Sequence, residues 1–395
     1  MESLPTVTLM PHHSARLRHG HPWLYANEVK MSAALKQLPA GSLVWVQSSE
    51  GYNLGTAIFN PHSLIVGRLV SRQKIATLDE GFFAGKLRRA LELRQAWFKE
   101  PYFRLIHAEA DGLPGVIIDL YGTVVVVQLN TAGMSVFSDS LLAALTLVLS
   151  PTAVLLRNDS AARESEGLER EVILAQGKIP PQIEVRENGA VFLVDLQEGQ
   201  KTGWFYDQRE NRRRIGHLAR GGRVLDVFCY LGGFGIEALV AGAESATLVD
   251  RSESALAAAV QSAERSQVAA RCSVSRGEGF EVMAAMIEAK QRFDLVVVDP
   301  PAFVKSKKHL AVGLKAYSKM TEAAAELVTP GGYLLAASCS HNVSPDAFAE
   351  AVSRGLSRAE RSGRILFTAG ADYDHPVHPH LPESAYLKAI CLVLD

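Results

Sequence analysis

The chain has 395 residues, and its 41 Lys and Arg nearly balance 42 Asp and Glu, for a formal charge of −1. This length predicts two or three domains with an ordinary packed core, and the balance gives nucleic acid no global attraction. The four cysteines (Cys229, Cys272, Cys339 and Cys391) form no CxxC pair, so neither a zinc site nor a disulfide framework is expected; the start lacks a signal-peptide pattern, no apolar run approaches the ~18 residues that span a bilayer, and a cytoplasmic location is expected.

Residues 1–72 read as β-rich. "GSLVWVQ", "GYNLGTAIFN" and "SLIVGRLV" are short strands separated by Gly, Ser, Asn and Pro, which fits a small barrel or sandwich. Residues 73–187 read as a small α+β domain. "EGFFAGKLRRALELRQAWF" has helical spacing, "GVIIDLYGTVVVVQLN" is a hairpin around Tyr121-Gly122, "VFSDSLLAALTLVLS" is a helix and "AVLLRND" a strand. "GKIPP" (Gly177 to Pro181) is turn- or linker-like.

Residues 188–395 alternate between strands and helices. "RVLDVF", "SATLVD", "RCSVSRG", "FDLVVVDPP", "GGYLLAASC" and "YLKAICLVL" are strands with helical runs between them. That alternation predicts a doubly wound, mostly parallel sheet, with the last strand a candidate antiparallel edge.

The third region opens with strand, Gly-rich turn and helix in "RVLDVFCYLGGFGIEAL". Gly232, Gly233 and Gly235 let the backbone pass close to a ligand. Asp226 ends the first strand, and Asp250 ends the next, 24 residues on, where a carboxylate can accept from ribose hydroxyls. The loop is not a full G-x-G-x-x-G, and Asp226 would repel a phosphate. It suits a cationic ligand such as the amino-acid part of S-adenosylmethionine. "VVVDPPAF" ends the fourth strand. Asp299-Pro300-Pro301 and an aromatic residue resemble the motif that Rossmann-like methyltransferases place beside the target base. Glu278, after the third strand, can accept from an adenine amino group. In "QKTGWFYDQRENRR", Phe205 and Tyr206 can pack on a cofactor, while Gln208 and Arg209 can reach its carboxylate; Lys201 belongs to the same stretch. Ordinary α/β punctuation explains any one of these motifs; it explains four in order poorly.

"KTGWFYDQR", "VLDVFCYLGGFG", "VVDPPAFVKSK", "SCS" and "DHPVHPHLPESAYLKAI", with "HPWLYANEV", "GTAIFNPHSLIVGRL" and "AEADGLPGVIIDLYG" earlier, make the chain similar over its whole length to the bacterial large-subunit ribosomal RNA methyltransferase I family. It departs at "CYLGGF", where "YTGGF" is expected, and at "RGEGF", where an Asp pair is commoner. The resemblance implies a PUA domain, a central α/β domain and a methyltransferase domain. It also implies methylation of cytosine C5 in 23S rRNA, or its large-subunit precursor, with S-adenosylmethionine. A homodimer is a candidate assembly; no membrane partner is expected.

Cytosine C5 is a weak nucleophile. A cysteine thiolate that adds at C6 leaves electron density at C5, and a base must later remove the C5 proton. Cys339, after the apolar run "LLAAS", is the expected nucleophile, although a buried strand-end cysteine is the bland alternative. A free thiol titrates near ~8.5, so loop amides, His341 or a cation must favour its thiolate. Cys229, Cys272 and Cys391 read as packing residues. Glu383 in "LPESAYLKAI" resembles the base of the uracil-C5 RNA methyltransferases, and His375 is the runner-up. Asp299 would hold the amino edge or N3 of the cytosine. For RNA, Arg16, Arg18, His19, His21, Trp23 and Arg68 offer basic and aromatic groups. Arg212 to Arg214, Lys305, Lys307 and Lys308 can contact phosphates. Two other readings stay open: a nitrogen methyltransferase of the same fold in which Cys339 is idle, and an RNA-binding assembly factor without catalysis.

Overall fold

The computed structural model describes residues 4–199 and 202–395; Lys201 lies outside them. The chain forms two units. Unit 1 holds the chain up to Pro181 with Leu196–Trp204 and Tyr373–Ser384, and unit 2 holds Gln182–Asp195, Phe205–Asp372 and Ala385–Asp395.

Unit 1 begins with strands β1 (Thr6–Thr8), β2 (Trp23–Leu24), β3 (Ser42–Gln47), β4 (Asn53–Phe59) and β5 (Gly67–Ser71), in sheet order β1-β3-β4-β5-β2. Val44, Val46, Ala57, Phe59 and Leu69 form its core. Helix α1 (Glu80–Gln95) follows, capped by the Asp79 side chain, which accepts from Phe82 N. A second five-stranded sheet contains β6 (Tyr102–His107), β7 (Val116–Tyr121), β8 (Val124–Leu129), β9 (Ala153–Asn158) and β10 (Glu171–Gly177) in chain order. Helix α2 (Ser138–Leu149) joins β8 to β9 and lets them run parallel.

The two sheets share apolar packing. Ile58 and Val70 of the first enter the core built by Phe83, Leu87, Ile118, Val127 and Leu145. Arg68 binds Glu109 and Glu166 at 3.0 and 3.1 Å, and Trp23 Nε1 donates to Glu109 at 2.7 Å. Trp23 and Arg68, expected at an RNA surface, are therefore structural ties inside unit 1. Arg16, Arg18 and His19 remain exposed. Strand β10 was not expected from the sequence. As an edge strand with both faces open, it has no inside–outside alternation to read, and every residue in it is exposed.

Unit 2 carries the hairpin β11 (Ile183–Glu187) and β12 (Ala190–Val194), followed by α3 (Arg209–Leu218), β13 (Arg223–Val227), α4 (Gly233–Val240), β14 (Ser245–Asp250), α5 (Glu253–Arg265) and β15 (Cys272–Arg276). Then come α6 (Gly279–Glu288), β16 (Phe293–Val298), α7 (Leu310–Leu327), β17 (Val328–Ser338), α8 (Pro345–Arg358), β18 (Gly363–Ala369) and β19 (Lys388–Leu394). The hairpin docks on α5, where Ser262 Oγ and Ser266 Oγ accept from Leu193 N and Val191 N. Sheet order is β15-β14-β13-β16-β17-β19-β18. The first five strands are parallel, and β19 runs antiparallel to both its neighbours. The last strand in the sequence is thus antiparallel, but it is not the edge. Strand β18, which the sequence reading missed, covers it, and the nearly continuous burial of β19 fits a central position. Strand order reverses between β13 and β16, the place where ligands bind in such sheets. Asp226, Asp250, Glu278, Asp299 and Cys339 lie at the C-terminal ends of five adjacent strands, on one rim.

Candidate active site

The turn after β13 is under backbone strain. Phe228 (φ 65°), Tyr230 (φ 52°) and Gly232 (φ 76°) are left-handed, a conformation that costs of order 1–3 kcal/mol for each non-glycine residue and gathers at functional sites. Gly235 packs α4 onto β14: a Cβ there would lie 2.2 Å from the Leu248 side chain. Its role is helix–sheet contact, not the ligand approach expected from the sequence. Gly233 begins α4 and is buried.

Asp226 is 1% exposed. Its Oδ2 accepts from Gly235 N at 2.9 Å, while Oδ1 has no hydrogen-bond partner among the described residues. Burial pushes its carboxyl up to about 7, against the pull of the Gly235 amide and with a further push from Asp299 and Asp250. Asp250 Oδ2 accepts from Tyr230 N at 3.0 Å and Oδ1 from Ser252 N at 2.9 Å, which leaves a second lone pair on each oxygen. Glu278 stands at the N-cap position of α6 without a side-chain capping bond and is largely exposed, 3.9 Å from Arg251.

Asp299 is half-buried, and its Oδ2 accepts from Gln208 Nε2 at 2.9 Å. Gln208 Oε1 in turn accepts from Asn211 Nδ2 at 2.7 Å. Gln208 therefore holds the Asp-Pro-Pro carboxylate, a role the sequence did not suggest. Phe205 packs edge-on against Tyr230 of the strained turn at 5.4 Å. Its neighbour Tyr206 is 1% exposed and lies beneath Arg209. Its ring is thus buried within unit 2. The Arg209 guanidinium pairs with Glu187 at 3.2 Å and Asp372 at 3.6 Å, so it is engaged inside unit 2 rather than displayed.

The basic run around α3 divides in the same way. Arg212 is buried between Glu187 (2.6 Å) and Glu237 (3.3 Å). This corrects its reading as a phosphate contact, because an arginine paired at that depth is structural. Arg213 and Arg214 reach the surface beside Glu210. Lys305, Lys307 and Lys308 are exposed after the Asp-Pro-Pro turn.

Cys339 sits between two anchored serines. Ser338 Oγ donates to Tyr317 Oη at 2.8 Å, and Ser340 Oγ lies 2.8 Å from the same hydroxyl. Cys339 follows the last residue of β17, and its sulfur adds to the upward push that burial gives the Tyr317 hydroxyl. Its Sγ lies 3.9 Å from the carbonyl oxygen of Pro300, next to Asp299. The other thiols are poor nucleophiles. Burial pushes Cys229 up, Cys272 to about 11 and Cys391 to about 12.

Lys388 is the residue the sequence reading missed. It stands opposite Ser338 in the β17–β19 ladder and is 6% exposed. Its Nζ donates to the carbonyls of Ser340 (2.6 Å) and Tyr386 (2.7 Å). Its apolar neighbours in "AYLKAI" marked only a strand. The sequence signal was a lysine inside an otherwise apolar central strand.

Glu383 belongs to unit 1, exposed on the turn Pro382–Ser384 and close enough to act on the His21 charge. It precedes Lys388 by five residues. His375, the runner-up base, is 4% exposed, with Nδ1 2.6 Å from Asp374 Oδ1 and its ring 4.9 Å from His107. That geometry is a loop-ordering His–Asp pair.

A family model for S-adenosylmethionine-dependent methyltransferases matches residues 174–391, and one for PUA-like domains matches residues 7–72. Over 98% of its length the chain is 35% identical to ribosomal RNA large subunit methyltransferase I of Pseudoalteromonas atlantica, covering 99% of that protein. It is 37% identical to the protein of the same name from Alteromonas mediterranea, again over 98% of this chain and 99% of the relative. The chain belongs to the ribosomal RNA large subunit methyltransferase I family. A putative SAM-dependent methyltransferase from Streptococcus mutans shares the fold at a TM-score of 0.83 and 22% identity, with 99% of this chain and all of that one covered. Another structure, of a putative methyltransferase complexed with SAH, gives 0.84 at 22% identity, again over 99% of this chain and all of that one.

This family member uses S-adenosylmethionine, and the rim of unit 2 fits it. The orphan Oδ1 of Asp226 is a buried acceptor for a cation, Asp250 keeps lone pairs for hydroxyl donors, and the strained turn places backbone between them. The Asp226 carboxyl, raised from 3.8 to about 7, binds more protons in the native than in the unfolded chain. Its contribution to stability therefore declines as pH rises from about 4 to 7, and a cationic ligand offsets that loss near neutrality. Only the ionised form attracts the ligand's ammonium, and one unit below its pKa about a tenth is ionised. Cofactor affinity measured by calorimetry should accordingly fall about tenfold from pH 8 to pH 6. Asp226→Asn should flatten the profile, and an unchanged profile in that variant would disprove the assignment.

Proposed function

We propose that this protein methylates C5 of one cytosine in 23S rRNA, or in its large-subunit precursor, through a covalent bond between Cys339 Sγ and C6. The observation that supports this most is the position of Cys339. Its serine neighbours are tied to Tyr317, and its sulfur lies 3.9 Å from the carbonyl oxygen of Pro300, the residue after Asp299.

The roles follow from the chemistry. Asp299, held by Gln208, takes the cytosine amino edge or N3 and orients the ring. The Cys339 thiolate bonds to C6, and the electron pair of the C5–C6 double bond moves to C5. S-adenosylmethionine supplies the electrophilic methyl group that C5 requires. Glu383 removes the C5 proton, the double bond re-forms, and the Sγ–C6 bond breaks to return the thiolate. Phe205, Asp226, Gly232, Gly233, Asp250 and Glu278 line the cofactor end of the rim. Segments 1–72, 73–187 and 188–395 serve as RNA-holding, connecting and catalytic parts, in the cytoplasm. Arg16, Arg18, Lys305, Lys307 and Lys308, all exposed, meet phosphates.

The test is incubation with unmodified 23S rRNA, naked and in large-subunit particles, and methyl-labelled cofactor. Digestion to nucleosides should place the label in 5-methylcytidine. Label on a nitrogen would end the C5 reading, and no label on either substrate would end the catalytic one.

A homodimer joined through β10 is also proposed. This edge strand exposes Val172, Ile173 and Leu174 to water on both faces, and such an edge is a template for pairing with a second copy. Ile173→Lys should convert a dimer to a monomer in sedimentation equilibrium without lowering the melting temperature. A wild-type monomer would refute this assembly.

A further inference from the structure

We propose that Lys388 is the positioning cation of Cys339: its ammonium, fixed on the Ser340 and Tyr386 carbonyls, keeps the adjacent sulfur in the thiolate form. The inference deepens the C5 reading and rests on Cys339 being the nucleophile.

The geometry carries it. Lys388 lies opposite Ser338 across the β17–β19 ladder, and its Nζ binds the carbonyl of the residue that follows the cysteine. Two of its three ammonium protons are accounted for by carbonyl oxygens. No carboxylate pairs with it among the described residues, whereas Arg94, Arg157 and Arg212, also buried in this chain, have such partners. A lysine buried without a carboxylate is costly unless another anion forms nearby, and the Cys339 thiolate is that anion. Burial pushes the Lys388 ammonium down to about 8, while the Cys339 sulfur acts in the opposite direction. The coupling is reciprocal: whatever the sulfur does for the ammonium, the ammonium does for the sulfur.

Other groups facing the sulfur do not replace it. Tyr317 is a neutral phenol raised by burial and bonded to Ser338 and Ser340. The Asp299 carboxylate, next to Pro300, repels a thiolate. Tyr386 donates to Asp207 and stacks on His341 at 4.9 Å, and His341 is exposed. Lys388 is the buried fixed cation of the set.

The test uses the full chain. Alkylation of Cys339 by iodoacetamide is followed from pH 5.5 to 10 by mass spectrometry of its peptide, in wild type, Lys388→Gln and Lys388→Arg. Glutamine keeps amide donors for the carbonyls but removes the charge; arginine keeps the charge. The pH of half-maximal rate in wild type should lie below the ~8.5 of a free thiol. It should rise by at least one unit in Lys388→Gln, about a tenfold loss of rate at pH 7, and stay near wild type in Lys388→Arg. Equal shifts in both variants, no shift in Lys388→Gln, or a wild-type midpoint at or above the free-thiol value would each overturn the proposal. The wild-type curve decides even if a variant fails to fold. Because alkylation needs no RNA, a failure of the C5 reading itself shows separately, as methyl transfer that survives loss of Cys339.

Discussion

Replacing Cys339 by alanine is expected to lower methyl transfer to 23S rRNA by on the order of 10⁴ or more, the scale of losing a nucleophile that acts as part of a unit. The cofactor should still bind with wild-type affinity. Asp226, Asp250 and the strained turn lie at the ends of β13 and β14, whereas Cys339 follows β17. The fold should also hold, because Ser338 and Ser340 keep the segment on Tyr317. The measurement is single-turnover transfer of labelled methyl, with calorimetry of cofactor binding as the control. Transfer that persists within tenfold of wild type would show that the target atom needs no covalent activation. A nitrogen would then be the acceptor.

Glu383→Gln should separate the two halves of the same reaction. In the proposed mechanism, addition of Sγ to C6 and methylation of C5 do not need the base, whereas release does. Turnover should drop by roughly 10²–10⁴, the usual contribution of a positioned base. A denaturant-stable protein–RNA species carrying the labelled methyl should accumulate, and the same substitution combined with Cys339→Ala should accumulate none. Free, fully turned-over product from Glu383→Gln would move the base elsewhere. His375 is a poor second choice, since its imidazole is buried against Asp374 and His107.

Much of unit 2 was legible because parallel strands write themselves as apolar runs ending in Asp, Gly or Cys. "RVLDVF", "FDLVVVDPP" and "GGYLLAASC" are strands, and their terminal residues share one rim. Less was legible where a residue's role depends on a distant partner. Gln208 and Arg209 are adjacent in sequence, yet one meets Asp299 and the other Glu187. Arg212 and Arg213 look alike in "ENRRR", but helical rotation buries the first against Glu187 and leaves the second beside Glu210. Strands β10 and β18 were missed because edge strands need not alternate, and Lys388 because its partners are backbone carbonyls, which leave no trace in residue type.

The turn from Phe205 to Gln208 touches three places at once. Phe205 leans on Tyr230, Gln208 holds Asp299, and Asp207 accepts from Tyr386. Four consecutive residues thus link the strained turn after β13, the Asp299 carboxylate and the entry to the strand that carries Lys388. Variants in this turn should therefore show strong non-additivity with variants at any of the three. Their effects on cofactor affinity and on base positioning should arrive together, so a screen that reads only one of those quantities will misassign them.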